Sequence, residues 1–424
     1  MKNIIRLVVL LVIVYLGYNI YQQNPQATST VTTKEAPLLN IYDEKEAALE
    51  YLNSLRKNSG MVPFYTNEKL EQSAQNHAKY LIKNDKIGHF QIEGKPEFTG
   101  IAPAGRAFFA GYKTHMIIEN VSSNSPNFKE SIDGLMSAIY HRFGFLDFQV
   151  DEIGIGVLQD AKNRQKNAYV YNMGIYELNE LCQDEIYDGV GSYVYNVCKD
   201  KSIKIKESDF KNALDSNRLH NKKIAIYPYD GQTDVPPAFF DEIPDPLPEY
   251  EVSGFPLSIS FNEYYFKKVK VLSFKLFDTN NKEIKETKFY NHIIDPNSKF
   301  KRFEFALFPL KRLEWDARYR TVVEYIVDGE KKSKEWYFHT KKFKYPLYVV
   351  NEKNRNFEVE INKSYIFYFE PTSKSDILGD LQYPLSLDIS FIDRNTVKLV
   401  VLNEDKKSYK LKFGEHKLNL YLSL

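Results

Sequence analysis

The spacing of apolar residues divides the chain into a helical part and a part made of strands. Up to about residue 178, apolar residues recur every three or four positions in several segments, which is typical of amphipathic helices. Gly60 and Gly88 are placed to end the first two helices, and Ser125 with Pro126 predicts the start of a third. The predicted strands of this part cover residues 152–158 and 168–173. Helices followed by strands predict an α+β domain.

From about residue 223 the period of the apolar pattern changes from 3.6 to 2. Seven of the 18 prolines lie between Pro228 and Pro256, which predicts a stiff, extended segment. Alternating strands follow, and Asp328-Gly329 predicts a hairpin turn between two of them. Short strands at regular spacing predict a β-sandwich over residues 223–341. Further alternation predicts a small third domain, also all β, over residues 342–424.

The first segment predicts export from the cytoplasm. After Lys2 and Arg6, the run from Leu7 to Tyr21 carries no charge. Its length lies between a signal-peptide core and a membrane span of about 20 residues. No good cleavage site follows, so we favour an uncleaved anchor at residues 4–21 and a disordered tether at residues 22–42; a cleaved signal peptide is the alternative. The remainder of the chain is expected outside the cytoplasm.

Charge and cysteine content narrow the possible partners and structural roles. The 57 Lys and Arg residues balance 56 Asp and Glu residues along the whole length, which argues against nucleic acid as a partner. Cys182 and Cys198 are too few for a zinc ribbon or an iron–sulfur cluster. Outside the cytoplasm they can form a structural disulfide. We expect this disulfide in a connector, residues 179–222, between the two main domains.

Candidate chemistry concentrates in the α+β domain. His77 lies on the apolar face of the second predicted helix and is expected to be a core residue, whereas His115 is expected at the surface. His89 lies just after a predicted helix, Glu119 lies in the segment IIENV, and His141 directly follows the third predicted helix. Taken singly, none of these residues indicates a function.

Taken in order, the motifs around these residues resemble the bacterial form of the CAP superfamily, which includes cysteine-rich secretory proteins, antigen 5 and pathogenesis-related 1 proteins. The matching motifs are Asn53-x-x-Arg56, Gly60-Met61-Val62-Pro63, Ala74-x-x-His77-Ala78, Gly88-His89, Pro103-Ala104-Gly105-Arg106, Gly111-Tyr112, Glu119-Asn120, Tyr140-His141-Arg142 and Ile153-Gly154-Ile155-Gly156-Val157. The resemblance implies an α-β-α sandwich over residues 43–178, with His89, Glu119 and His141 in a cleft.

The chain departs from the family pattern in the cleft. Eukaryotic CAP proteins have two histidines and two glutamates there, but the region where the second glutamate is expected reads Leu135-Met136-Ser137-Ala138. His89 and His141 could hold a divalent metal such as zinc or magnesium, although only weakly without a second carboxylate. No other cofactor is expected. The proline-rich segment resembles the immunoglobulin-like module that can follow bacterial CAP domains.

These features favour a non-enzymatic, membrane-tethered CAP protein that binds a lipid, cell-wall or protein ligand in its His/Glu cleft, with the β modules as spacer or adhesion units. The resemblance implies a bacterial cell envelope as its location, either periplasmic or extracellular. The chain has no G-x-S-x-G or H-E-x-x-H motif to indicate a hydrolase nucleophile or zinc protease. One alternative is a metal-assisted hydrolase of envelope peptide or peptidoglycan, with Glu119 as general base. A second is an inert CAP scaffold that carries adhesive β domains.

Overall fold

The computed structural model describes residues 36–183, 186–187, 189–379 and 383–423. These residues form two compact units. The larger unit holds residues 36–344 and 371–377, and the smaller holds the rest from residue 345 onwards. The anchor predicted at residues 4–21 lies outside the described residues, as does most of the tether. Among the described helices, none is long and apolar enough to cross a membrane.

The α+β part of the larger unit consists of a four-stranded sheet between helices. Its strand order is β1-β3-β4-β2, antiparallel except for the β1–β3 pair. The helices are α1 Ile41–Ser59, α2 Glu68–Asn84, α3 Pro103–Ala110, α4 Phe128–Ser137, α5 Ile139–Phe145 and α6 Tyr176–Leu181. The strands are β1 Tyr65–Thr66, β2 Ile118–Ser123, β3 Glu152–Gln159 and β4 Asn167–Gly174.

Strand β3 shows how this sequence makes three layers. Ile153 and Ile155 share a core with α1 and α4 on one face of the sheet. The alternate residues are glycines, and α2 packs directly on them. A Cβ on Gly154 would lie 1.9 Å from the backbone nitrogen of Glu71, and one on Gly156 would lie 2.2 Å from the carbonyl carbon of Ala74. The pattern I-G-I-G-V therefore permits close helix–sheet contact, and the predicted α-β-α sandwich is confirmed.

Of the three helix boundaries predicted above, only the first is confirmed. Gly60 ends α1 with φ +102°, a conformation that favours glycine. The end predicted for α2 at Gly88 is wrong, because the helix ends at Asn84 and Asp85 takes the left-handed conformation, with φ +51°. The start predicted for α4 at Ser125-Pro126 is wrong. The helix begins at Phe128 because the Asn127 side chain accepts a hydrogen bond from the Glu130 N–H at 3.0 Å. Ser125 instead bonds to Ser122 through the two hydroxyls.

The connector contains the predicted disulfide, Cys182–Cys198. Short strands β5 Tyr193–Val194 and β6 Ile205–Lys206 pair with each other, and helix α7 Glu207–His220 follows. The sequence pattern did not predict α7. This helix has only two buried residues, Ala213 and Asn217, so its sequence lacks a clear apolar stripe.

The next part is a β-sandwich, as predicted. Its two sheets have the orders β13-β14-β11-β7 and β12-β15-β16-β8, and β9 and β10 pair separately. Phe261 of one sheet meets Tyr325 of the other with 4.9 Å between ring centroids. Asp328 and Gly329 both have positive φ, which confirms the predicted hairpin turn. The strands are β7 Ile224–Tyr227, β8 Gln232–Val235, β9 Ala238–Phe239, β10 Ser253–Gly254, β11 Leu257–Phe261, β12 Val269–Phe277, β13 Thr287–Asn291, β14 Glu304–Pro309, β15 Arg318–Val327 and β16 Glu330–Thr340.

The smaller unit covers most of the residues predicted as a third domain, 342–424, but residues 342–344 and 371–377 belong to the larger unit instead. The smaller unit is also made of two sheets. Their orders are β17-β19-β21-β20 and β18-β23-β22, with a separate apolar core. The strands are β17 Leu347–Val350, β18 Asn356–Val359, β19 Ser364–Phe369, β20 Leu387–Asp393, β21 Thr396–Val401, β22 Ser408–Phe413 and β23 His416–Leu422.

Within the larger unit, the α-β-α sandwich and the β-sandwich share a continuous apolar core. Helix α5 packs directly against the β-sandwich at this junction. Its Ile139 and Phe143 pack in one cluster with Phe300 and Phe308 of the β-sandwich. The helix that carries the candidate residue His141 is therefore buried partly in the neighbouring module.

Candidate functional site

Glu119, in strand β2, is the buried centre of the first half of the site. Its Oε1 is 3.0 Å from His89 Nδ1, and Arg106 Nη2 lies 2.7 Å from each carboxylate oxygen. The carboxylate side chain is only 1% exposed. With its amide oriented to satisfy both ends, Asn172 donates a further bond to Glu119 Oε2 at 2.9 Å. This carboxylate is held on every side by donors.

Arg106 holds the His89 loop against this carboxylate. Its Nη1 donates to the backbone oxygen of His89 at 2.9 Å while its Nη2 binds Glu119. Burial by itself would raise the pKa of Glu119, but the hydrogen bond from His89 and the charge of Arg106 together lower that pKa below its ordinary value. Glu119 is therefore ionised, and it accepts the Nδ1 proton of His89.

His77 supports the same loop from beneath. Its Nε2 is 3.0 Å from the backbone oxygen of Gly88, and its Nδ1 is 3.0 Å from Gln91 Nε2. Burial lowers the pKa of His77 to about 4, so this ring is neutral at ordinary pH. The prediction of a core histidine is confirmed, and His115 is exposed as predicted.

The second half of the site is built around His141 and Glu242. His141 Nδ1 is 3.0 Å from Glu242 Oε2. The same carboxylate accepts from the backbone N–H of Ile139 at 2.7 Å and from that of Tyr140 at 3.2 Å. Ala138, at the start of α5, has no side chain to cap this helix, so Glu242 acts as the cap. Glu242 lies between β9 and β10, in the proline-rich segment of the β-sandwich.

The charge environment of Glu242 differs from that of Glu119. Its side chain is also 1% exposed, and burial raises its pKa although the hydrogen bond from His141 opposes that rise. Two peptide N–H groups donate to this carboxylate, and the neighbouring side chain is an imidazole, where Glu119 has a guanidinium. Helix α5 thus carries both the N–H groups that donate to Glu242 and the histidine that lies beside this carboxylate.

The two histidines face each other. Their rings are nearly parallel, with 6.1 Å between centroids and 20° between planes. The side chains are 32% exposed for His89 and 15% for His141. Each Nδ1 is bonded to a carboxylate, and in the part of the chain that the structure describes neither Nε2 has a hydrogen-bond partner. The two imidazoles are thus partly exposed, and their Nε2 atoms are available to a ligand.

The structure brings together His89, Glu119 and His141, as the motifs predicted. Sequence reasoning missed Glu242. Leu135 and Met136, from the region where the second glutamate was expected, are buried in the apolar core instead. The only signal for Glu242 was an acidic residue inside the apolar, proline-rich stretch FFDEIP.

A divalent metal would have to rely on the two imidazoles. Among the described residues, no group of three or more His, Cys, Asp and Glu side chains is arranged to hold a metal ion. Carboxylates bonded to Nδ1 do orient metal-ligating histidines in many proteins. His89 and His141 fit that pattern as two donors, and solvent or a ligand would complete a four-coordinate zinc site.

The α+β part has three layers and carries a pair of histidines, each beside a buried glutamate. Residues 49–173, which make up most of this part, match the model of the cysteine-rich secretory protein family, CAP. The chain thus contains a CAP domain followed by β-rich modules. No curated protein matches the chain.

Two solved structures are similar over the same share of the chain. An outer surface protein from Borrelia burgdorferi is 18% identical, with 32% of this chain and 95% of that chain covered and a TM-score of 0.29. An extracellular protein containing an SCP domain from Bacillus anthracis str. Ames is 17% identical. The match covers 32% of this chain and 44% of that chain, with a TM-score of 0.28. This chain spans less than half of the length of the Bacillus protein.

Proposed function

We propose that the protein is an exported, envelope-associated or extracellular binding protein whose CAP cleft captures a ligand through His89 and His141. The arrangement of the two imidazoles carries this proposal. Each Nδ1–H donates to a buried carboxylate, so each Nε2 presents a lone pair. The cleft therefore suits a ligand with hydrogen-bond donors, such as hydroxyl or ammonium groups, or a divalent cation.

Exposed apolar side chains near His89 in the sequence suggest that the ligand also has an apolar part. Ile87 and Phe90 flank Gly88-His89, and both of their side chains are 68% exposed. A ligand that covered this surface would gain about 25 cal/mol per Å² of buried apolar area. A lipid, or a cell-wall component that carries both hydroxyl groups and apolar surface, has this combination.

Location outside the cytoplasm is supported by two independent features. The uncharged run Leu7–Tyr21 after Lys2 and Arg6 has the pattern of an export signal. The Cys182–Cys198 disulfide suits an oxidising compartment. We propose the cell envelope as the site of action, with residues 4–21 as the tether to the membrane.

The environment of Glu119 argues against the hydrolase alternative in which this residue is the general base. Its side chain is buried, donors occupy both oxygens, and its lowered pKa makes it a weak base. If zinc were held by the two histidines, the ion would supply a Lewis acid in the cleft. The residues themselves support binding more directly than proton transfer.

Titration with zinc and magnesium tests whether the histidine pair is the binding site. We expect zinc to raise the melting temperature of the full-length protein, since a ligand at 100 times its Kd adds about 2.7 kcal/mol of stability. The double variant His89→Ala/His141→Ala should lose this shift. His115→Ala, which removes an exposed histidine outside the cleft, should keep it. A zinc shift that is equal in all three proteins would contradict metal capture by this pair.

Co-sedimentation tests the organic ligand. The full-length protein would be mixed with phospholipid vesicles and, separately, with purified peptidoglycan sacculi. Binding to either that is lost with His89→Ala/His141→Ala and retained with His115→Ala supports the proposal and identifies the ligand class. If neither material binds and no metal shift occurs, the proposal of a binding cleft fails.

A further inference from the structure

We infer that the β-sandwich completes the CAP cleft, and that Glu242 is the positioning residue that fixes the ring and the tautomer of His141. The importance of the His141 lone pair for binding rests on the function proposed above. The positioning itself rests only on contacts within the larger unit.

Polar contacts from the β-sandwich anchor helix α5 at three successive residues. Glu242 binds His141. The neighbouring Tyr140 hydroxyl donates to Asp295 and accepts from Asn297 Nδ2 at 3.0 Å. Both partners belong to the segment between β13 and β14. The anchors around His141 therefore come from sequence about 100 to 155 residues further along the chain.

Arg142 makes the third anchor. Its guanidinium is fully buried and donates to the backbone oxygen of Pro256 at 2.7 Å and to Ser258 Oγ at 3.2 Å. It also lies 4.9 Å from the ring centroids of Tyr227 and Phe255. Within the CAP domain, the same side chain binds Met136 O through Nε. The buried position of this guanidinium therefore depends on the β-sandwich, which supplies two of its hydrogen-bond acceptors and the two aromatic rings beside it.

The CAP domain contributes less to the orientation of His141. Asn120 Nδ2 donates to the backbone oxygen of His141 at 2.8 Å, which holds the main chain but leaves the ring free to rotate. The ring is fixed by Glu242 Oε2 at Nδ1. The carboxylate needed to orient the second histidine is thus supplied by the β-sandwich.

The chemistry of Glu242 sets the tautomer. A carboxylate accepts on both oxygens, so Oε1 can bind the N–H of Ile139 while Oε2 accepts the Nδ1 proton of His141. A glutamine at this position has one oxygen and one NH₂ group. The helix N–H groups would keep the oxygen, and the NH₂ would then face Nδ1. His141 would have to accept at Nδ1 and carry its proton on Nε2, the reverse of the wild-type arrangement.

Nitrogen NMR of the histidine side chains tests this directly. Selective ¹⁵N labelling of the full-length protein gives eight imidazoles, and His141→Asn assigns the resonance of interest. In the wild type we expect the His141 proton on Nδ1. In Glu242→Gln we expect it on Nε2, with the His89 signals unchanged and zinc affinity lowered at least tenfold. Glu249→Gln, an exposed residue of the same segment, should match the wild type.

The outcomes separate the inference from the proposed function. An Nε2 proton on wild-type His141 would overturn the inference, and this result does not depend on whether the variant folds. An unchanged tautomer in a folded Glu242→Gln protein would also overturn it. If the tautomer reverses as expected while the wild type binds neither zinc, vesicles nor sacculi, then the positioning role of Glu242 stands and the proposed function fails.

Discussion

The two halves of the site hold their buried glutamates in different ways. In each half, a histidine Nδ1 lies 3.0 Å from a buried glutamate oxygen. Glu119 comes from the CAP sheet and is neutralised by the guanidinium of Arg106, whereas Glu242 comes from the β-sandwich and is held by peptide N–H groups. The pKa of Glu119 is lowered and that of Glu242 is raised, although burial by itself would raise both pKa values.

This difference indicates that a full counter-charge stabilises a buried carboxylate more firmly than dipoles do. We therefore expect changes in the His89 half to lower the free energy of unfolding more. Arg106 and Glu119 form a buried ion pair, so removal of either one leaves the other without its counter-ion. The His141 half depends on the docking of another module. The following tests compare the two halves, from the largest expected effect to the smallest.

Removal of Arg106 should have the largest effect. Arg106→Met leaves Glu119 as a buried charge without its counter-ion, which typically costs about 3–5 kcal/mol. Urea unfolding followed by circular dichroism measures the loss. Addition of Glu119→Gln to this variant should restore a substantial part of it, because the uncompensated charge is then gone. A double variant as unstable as the single one would show that lost packing, not charge, explains the effect.

The opposing effects of burial and of a counter-charge on the pKa of a carboxyl group can also be tested at residues that lie away from the histidines. At the junction between the CAP domain and the β-sandwich, burial raises the pKa of Glu304 from 4.5 to about 7, although Lys301 opposes the rise. Asp147, which is ion-paired with Lys301, has a lowered pKa despite its burial. The folded state holds the Glu304 proton more tightly than the unfolded state does, so this residue's contribution to stability is lost as pH rises from about 4.5 to about 7.

Glu304→Gln should remove that pH dependence. A difference of about 2.5 in pKa corresponds to about 3 kcal/mol at most, since one unit is about 1.4 kcal/mol. Free energies of unfolding measured between pH 4 and pH 8 for wild type and variant give the difference curve. Stability of the wild type should fall relative to the variant as pH rises. A flat difference curve would mean that burial does not raise this pKa.

Removal of Glu242 should cost less than removal of Arg106. Glu242→Ala deletes the cap of α5 and leaves its first N–H groups without the carboxylate, for an expected loss of about 1–2 kcal/mol. Urea unfolding again provides the measurement, with Glu249→Ala as the exposed control. A loss equal to that of Arg106→Met would remove the proposed difference between the two halves.

The histidines themselves should matter least for stability. After His89→Ala, Glu119 keeps Arg106, and after His141→Ala, Glu242 keeps two helix N–H groups. We expect each variant to lose no more than about 1 kcal/mol by thermal unfolding. A larger loss for either histidine would assign it a structural role in place of a binding role.

The sequence predicts the parts of this protein that depend on local signals. The I-G-I-G-V strand, the Asp328-Gly329 turn and the order of the CAP motifs lead directly to the three layers, the hairpin and three of the four central cleft residues. Glu242 could not be found in this way, because it reaches His141 across 101 positions and belongs to another module. Helix α7 was missed because a helix with two buried residues lacks a periodic apolar pattern.

The anchoring of helix α5 also has a consequence for the order of folding. The Tyr140–Asp295 contact closes a loop of 155 positions, and the entropic cost of closing a loop rises with its length. His89, Arg106 and Glu119 lie within 30 positions of one another, so their contacts close shorter loops. The CAP domain can therefore orient His89 from within, whereas the orientation of His141 requires the β-sandwich to be in place.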